Sequence, residues 1–201
     1  KPFHAGTYYP AAGWLKLLQT VHDQYQQHRE KLNDYATRLT KGIRLQETAI
    51  SDNPTEKLDA KEIVKTVENW KTSWDMTEGG MNGAPKFPMP SNLHFLMDYT
   101  HQFTDTYTDS FIQLTLEKMA YGGIFDQLAG GFSRYSVDAL WKAPHFEKML
   151  YDNAQLLTIY AKAYKKYNDP LYLEILTKTT EWLVHEMRDA SGLFYAALDA
   201  D

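Results

Sequence analysis

The sequence predicts a mainly α fold, with antiparallel helix hairpins arranged as a helical array or a closed helical toroid. Apolar residues recur at alternating spacings of four and three through most of the chain, which puts them on one face of successive helices. Short turn-forming breaks join some of these stretches, and short connections make antiparallel neighbours. Longer polar connections separate one pair from the next, at a repeat of roughly 45–50 residues. Such connections gather at one end of the assembly, where a site can form.

Residues 1–10 contain Phe3, Thr7, Tyr8 and Tyr9 and close on Pro10, which reads as one edge strand. Trp14, Leu18, Val21, Tyr25, His28, Leu32, Tyr35 and Leu39 then form one stripe, ending at Gly42. This predicts a single helix roughly 40 Å long, at about 1.5 Å per residue, with His28 in a core or interface. Ser51-Asp52-Asn53-Pro54 marks a linker over 46–58. Asp59 with Glu62 reads as a capping box for a helix that buries Ile63, Val67, Trp70 and Trp74. A Gly- and Pro-rich loop follows over 76–90. Ser91 caps the next helix, which carries Leu93, Leu96, Met97 and Phe103. A break at Thr104-Asp105 leads into another helix through Phe111, Leu114 and Met119, closed by Gly122-Gly123. After a long loop over 122–145, Phe146, Leu150, Asn153, Leu157, Tyr160, Tyr164 and Tyr167 predict a helix starting at Phe146. Asn168-Asp169-Pro170 makes a tight connection, with Asp169 as cap and Pro170 at the first helical position. The last helix carries Tyr172, Leu176, Thr179 and Leu183 and ends near Ser191-Gly192, before a strand at Leu193-Phe194-Tyr195.

Composition narrows the function classes. Lys and Arg number 21 against 26 Asp and Glu, a formal charge of −5. With no basic run, the chain repels phosphate backbones, so nucleic acid is not an expected partner. No stretch approaches the roughly 18 consecutive apolar residues of a membrane helix, so no membrane partner is expected either. With no cysteine, disulfides, thiol catalysis and cysteine-ligated zinc are excluded within this chain. Aromatic residues make up 14% of the chain, and those not needed for packing suit pockets for ring-shaped ligands. The start at Lys1 without Met and the stop at Leu198-Asp199-Ala200-Asp201 read as cut ends of a longer protein, with a cytoplasmic location the expectation.

Two loops carry the polar chemistry. Gly79-Gly80-Met81-Asn82-Gly83-Ala84-Pro85-Lys86-Phe87-Pro88-Met89-Pro90 is either a rim presenting Lys86 and Phe87 to a substrate or a rigid connector with Phe87 packed. The second, from Gly122 to Asn153, is too long and polar for a simple connection. It concentrates Asp126, Arg134, Asp138, His145, Glu147 and Asp152 with Phe132, Tyr135 and Trp141. Acids and histidine move protons, Arg fixes an oxyanion, and aromatics stack on sugar faces. Asp126, His145 and Glu147 are therefore the catalytic candidates. Arg134, Tyr135, Trp141, Phe132, Lys86, Asp152 and Asp199 are candidates for substrate binding. Each has a structural alternative. Glu147 sits where a helix N-terminus favours an acid, His145 suits a structural histidine equally well, and Asp152 is placed to hold Arg134 in an ion pair. Asn153 on a buried stripe must meet a polar interior partner. Asp199 and Asp201 face one side and either complete an acid pair or turn the chain. His145-x-Glu147 alone is a poor metal site because two ligands so spaced diverge, so neither metal nor cofactor is expected.

The run Gly-Gly-Ile-Phe-Asp-Gln-Leu-Ala-Gly-Gly-Phe-Ser-Arg-Tyr-Ser-Val-Asp (122–138), Trp141 and Pro-His-Phe-Glu-Lys-Met-Leu-Tyr-Asp-Asn-Ala (144–154) closely resemble one family. It comprises thioredoxin-domain proteins joined to a six-hairpin glycosidase-like barrel and includes the spermatogenesis-associated thioredoxin-like proteins. Ala84-Pro85-Lys86-Phe87-Pro88 and Asp199-Ala200-Asp201 also match, so the resemblance covers essentially the whole chain. Met81-Asn82 stands where the family usually has Phe-Gly. The resemblance implies that residues 1–45 are the last strand and long helix of a thioredoxin-like domain, and that 59–201 are the first portion of an (α/α) six-hairpin toroid. It implies chemistry of glycoside hydrolase or sugar epimerase type, on a carbohydrate ligand. The alternative is a non-catalytic module binding sugar, peptide or a client protein beside a redox domain. Half a helical ring leaves apolar stripes uncovered, so self-association is also expected.

Overall fold

In a computed structural model of the chain, the described residues are 2, 4, 6, 8–47 and 59–200. They are mainly helical, and the chain divides into two compact units, Lys1–Asp59 and Ala60–Asp201.

The first unit holds α1 (Ala11–Gln27) and α2 (Arg29–Glu47). The single long helix expected here is therefore two, parted at His28, whose backbone leaves the helical region at φ −139 and ψ 43. The His28 N–H still donates to the Gln24 carbonyl at 2.8 Å and its carbonyl accepts from Leu32 at 3.1 Å. The chain thus turns without abandoning its hydrogen bonds. No proline or glycine marks the turn, and His28 is exposed rather than packed. Leu18, Val21, His22, Tyr25, Leu32 and Ala36 line a hollow of about 460 Å³ across the turn. Among the described residues of 1–10 there is no strand. The other residues of that expected strand, and positions 48–58 of the linker, lie outside the described residues.

The second unit begins with α3 (Ala60–Lys71), followed by α4 (Pro90–Gln102) and α5 (Thr106–Tyr121) as one hairpin, and α6 (Leu150–Tyr167) and α7 (Pro170–His185) as the next. The hairpins stack so that α4 lies on α6 and α5 on α7. Their shared core includes Val67, Leu96, Ile112, Leu116, Met119, Leu156, Tyr160 and Ile175. Trp74 lies flat against Phe111, with ring centroids 4.1 Å apart. The buried Tyr160 hydroxyl donates to the Leu116 carbonyl at 2.8 Å, tying α6 to α5.

The connections follow local chemistry. Asp105 accepts from the Thr108 N–H at 3.0 Å and caps α5. Its carboxylate also takes Lys71 at 2.8 Å, joining the end of α3 to the start of α5. Asn168 adopts a left-handed conformation, Asp169 caps α7 through the Leu171 N–H, and Pro170 opens the helix. The strand expected at Leu193–Tyr195 forms instead at Ala197–Leu198, with Phe194 making only an isolated bridge to Arg188, and three helix boundaries also differ from expectation. Met89, not Ser91, holds the N-cap position of α4, with Pro90 in the first turn. Helix α7 stops at His185. Helix α6 starts at Leu150, because the residues before it are taken up in strand pairing. No helix among the described residues is long and apolar enough to cross a membrane.

Candidate functional site

The long loop between α5 and α6 is ordered by short ladders. β1 (Tyr135–Ser136) pairs antiparallel with β2 (Pro144–His145), and β3 (Lys148–Met149) pairs with β4 (Ala197–Leu198). Lys86 joins the far edge, exchanging two 2.8 Å backbone hydrogen bonds with Ser136. The result is a narrow ribbon that draws together four distant stretches of chain: the 86 loop, 134–136, 144–149 and 197–199. Successive side chains of an extended strand point to opposite faces, and this alternation sorts the polar residues.

On one face lies an aromatic ladder. Phe87 contacts Tyr135 at 4.8 Å between centroids, and Tyr135 stacks on His145 at 4.7 Å with planes 21° apart. Beside it, Arg134 Nη1 donates to Glu147 Oε2 at 2.9 Å. The same Glu147 oxygen is 3.9 Å from His145 Nδ1. That separation is too long for a hydrogen bond, and Nδ1 has no other partner. Continuing the β3–β4 register beyond Lys148 and Leu198 sets Asp199 opposite Glu147; Asp201 lies outside the described residues. Asp152, in the first turn of α6, faces the same charges. Burial raises its carboxyl above the ordinary value and the Glu147 charge adds to this, against the opposing pull of Arg134. Arg134, Tyr135, His145, Glu147 and Asp152 thus form one cluster.

Other residues expected at the site lie behind it. Asp126 turns its carboxylate to its own loop, with Oδ1 accepting from the Leu128 and Ala129 N–H groups at 3.0 and 2.9 Å. Oδ2 takes Lys148 Nζ at 2.9 Å. Burial pushes this carboxyl up, but the hydrogen bonds from Ala129, Lys148 and Leu128 outweigh it and hold the pKa below the usual range. Asp126 therefore stays charged and engaged, which suits a structural anion better than a proton carrier. Trp141 is buried and donates its indole N–H to the Glu78 carbonyl at 2.8 Å. Phe132 is buried, with both its backbone groups bonded to Asn153, whose amide also reaches the Met149 carbonyl. Lys86 is buried against Asp75 and the Gly79 carbonyl. Asp138 closes a turn by accepting from Leu140, Lys142 and Ala143. Glu147 does not cap a helix: it precedes α6 and binds Arg134.

The structure adds an internal repeat. Asp75 accepts from the Thr77 and Glu78 N–H groups and from Lys86 Nζ, while Lys86 also donates to the Gly79 carbonyl. Asp126, Lys148 and Gly130 reproduce this arrangement. Each loop then turns back through two glycines with positive φ. A Cβ on Gly80 would meet Trp141 at 2.6 Å, and one on Gly131 would meet Trp182 at 2.5 Å. Only glycine admits those rings so close to the backbone. The acid and the glycines recur in the sequence as Asp-x-x-x-Gly-Gly at 75–80 and again at 126–131, but the clamping lysine follows its acid by 11 residues in the first copy and by 22, beyond Lys142, in the second.

Among the described residues no cluster of three or more His, Asp or Glu has the form of a metal site. A separate hollow of about 470 Å³, lined by His94, Phe95, Asp98, Gln155 and Thr158, lies on α4 and α6 and shares no residue with the ribbon.

No family model matches the chain. All of it aligns with spermatogenesis-associated protein 20 of Rattus norvegicus and of Homo sapiens, at 33% identity over 212 residues in each case. It also aligns with an uncharacterised protein of Caenorhabditis elegans, at 34% over 216 residues. The chain spans about a quarter, 27%, of the spermatogenesis-associated proteins it matches. Among solved structures it is similar to a sugar epimerase from a ruminal bacterium, with a TM-score of 0.59 and 17% identity. That match covers 66% of this chain and 37% of the epimerase. Cellobiose 2-epimerase from Spirochaeta thermophila gives a TM-score of 0.59 at 20% identity, over 67% of this chain and 36% of that one. At these identities the likeness is one of fold, and it places the helices among the (α/α) six-hairpin architectures.

Proposed function

We propose, from the premise that this chain is a homologue of spermatogenesis-associated protein 20 along its whole length and carries helices of the six-hairpin sugar-epimerase fold, that its ribbon is the saccharide-facing part of a carbohydrate-active module. Residues 59–201 are then the first portion of the toroid, and residues 1–45 the end of a thioredoxin-like domain. The observation that carries the reading is the arrangement around Glu147. One carboxylate oxygen is 2.9 Å from Arg134 and 3.9 Å from an imidazole nitrogen that lacks a partner. The imidazole is stacked on Tyr135. An aromatic ladder offers apolar faces to sugar rings, and a histidine beside a carboxylate is suited to moving a proton.

The chemistry this supports best is proton transfer of epimerase type. His145 acts as the shuttle, held by its stack on Tyr135 with the Glu147 carboxylate close by, and Arg134 meets the negative charge that develops on a carbonyl oxygen when the adjacent carbon loses its proton. Glycoside hydrolysis instead needs two carboxyl groups flanking the scissile bond. With Asp126 engaged by Lys148, those would be Glu147 and Asp152. A specific observation favours a non-catalytic, sugar-binding role as the second reading: Asp126 and Glu147 are each already held by a cation.

Titration of the chain with mono- and disaccharides, followed by heteronuclear NMR, tests the proposal. The expected result is that the signals of Phe87, Tyr135 and His145 move together. His145→Ala and Glu147→Gln should each weaken binding by roughly tenfold, about 1.4 kcal/mol. In a longer protein carrying this stretch, turnover that survives both substitutions while binding is lost would select the non-catalytic reading. A saccharide panel that moves none of the three residues would remove the carbohydrate reading altogether.

A further inference from the structure

Behind the ribbon stand two clamps of one design, one from each repeat. Lys148 Nζ is tethered by Asp126 Oδ2 at 2.9 Å and the Gly130 carbonyl at 2.8 Å, and lies 5.0 Å from the centre of the Trp182 ring. Lys86 Nζ is tethered by Asp75 Oδ2 at 2.7 Å and the Gly79 carbonyl at 2.8 Å, and lies 5.5 Å from the centre of Trp141. A buried ammonium with charged and carbonyl partners has few alternative positions, because any shift strands a desolvated charge. The residue next to it along an extended strand is thereby turned the other way. The neighbour of Lys148 is Glu147, which meets Arg134. The neighbour of Lys86 is Phe87, which meets Tyr135.

We propose that Lys148 and Lys86 are positioning residues of the ribbon site, each holding its outward neighbour, Glu147 or Phe87, against the Tyr135–His145 stack. The two halves of the site thus come from successive repeats and are brought into register by the same device used twice. The backbone agrees. Lys148 sits opposite Leu198 in the β3–β4 ladder, and the Glu147 carbonyl accepts from the Arg134 N–H at 2.8 Å. Lys86 makes two backbone hydrogen bonds to Ser136, the residue after Tyr135. This assignment rests on the carbohydrate reading of the ribbon, but its first readout does not.

The experiment compares Lys148→Met, which keeps the stem and loses the donors, with Lys148→Arg, which keeps the charge on a planar head that does not fit the clamp. Asp105→Asn serves as the control, since it weakens another part-buried lysine–aspartate pair, Lys71–Asp105, at the α3–α5 junction. The readouts are the His145 ring-proton shifts induced by Tyr135, the Arg134 side-chain signals, and saccharide affinity. Both Lys148 variants are expected to reduce the stacking-induced shift, since the shift depends on the rings staying face to face, and to bind saccharide roughly tenfold more weakly. Asp105→Asn is expected to lower the melting temperature while leaving the ring signals in place. Lys86→Met should disturb Phe87–Tyr135 contacts and spare the Arg134–Glu147 pair. If Lys148→Arg folds with wild-type ring signals, the positioning role is overturned and the clamp is purely structural. If the wild-type chain binds no saccharide, the functional reading falls, while the ring signals still decide the positioning role.

Discussion

Asp126 and Asp152 are both partly buried carboxylates, yet their surroundings act on them with opposite sign. Asp126, like Asp75 and Asp105, has its pKa lowered because hydrogen bonds and a lysine outweigh burial. Its contribution to stability is present above the unfolded-state value near pH 4 and is lost as pH falls through the lower folded value. Asp126→Asn should therefore destabilise the chain at pH 7 and converge with wild type at strongly acidic pH, read by urea melts across that range. Asp152 is raised by burial, so its charged form opposes folding above the folded pKa. That opposition disappears as pH falls to the unfolded value. Asp152→Asn should then be more stable than wild type at pH 7 and equal to it below about pH 4, and melts showing the reverse order would contradict this account. Part of this was legible in the sequence. Asn153 on an apolar stripe announced an interior polar partner, and the cluster of Arg134, His145 and Glu147 stood out by residue type. The engagement of Asp126 was not legible, because its lysine partner lies 22 residues away and nothing in the spacing of an acid reveals which cation will reach it.

Among the elements, α5 has the most demanding start. Asp105 both caps the helix and takes the ammonium of Lys71. Asp105→Ala should lower stability by about 1–2 kcal/mol through loss of the cap, with a further loss from the unpaired Lys71. Asp169→Ala, which removes a cap without an ion pair, should cost about 1 kcal/mol, and chemical denaturation of the two variants separates these contributions. Helices whose apolar spacing runs between turn residues were readable in advance, including the Asn168-Asp169-Pro170 junction. The start of α6 was not. Phe146 fits the helical spacing to Leu150, but the stretch before Leu150 pairs with residues 135–136 and 197–198. Periodicity within one segment carries no information about a strand partner some fifty residues distant. The turn at His28 is likewise silent, since no helix-breaking residue accompanies it.

Across the whole molecule, large apolar side chains stay in contact with solvent: Leu128 is 98% exposed, Phe146 and Leu193 are each 71%, and Tyr121 is 69%. Apolar side chains so exposed gain by being covered, so the isolated chain should show concentration-dependent mass in sedimentation equilibrium. Phe146→Ser with Leu193→Ser should shift it towards monomer, and a mass independent of concentration would rule this out. The architecture was readable from hairpin periodicity because stacked helix pairs depend on local patterns repeated along the chain. The ribbon that gathers the site was not, because it exists only once those pairs have stacked.

The two clamped lysines also give the molecule a built-in reporter. Lys86 and Lys148 are 1% and 7% exposed, and an ammonium must shed both its proton and its shelter before it can attack an acylating reagent. In a mixed population of surface amines these two should be modified last, and only as quickly as the loops around Asp75 and Asp126 breathe. Timed acylation read by mass spectrometry would therefore clock the opening of each repeat separately, without any label being introduced.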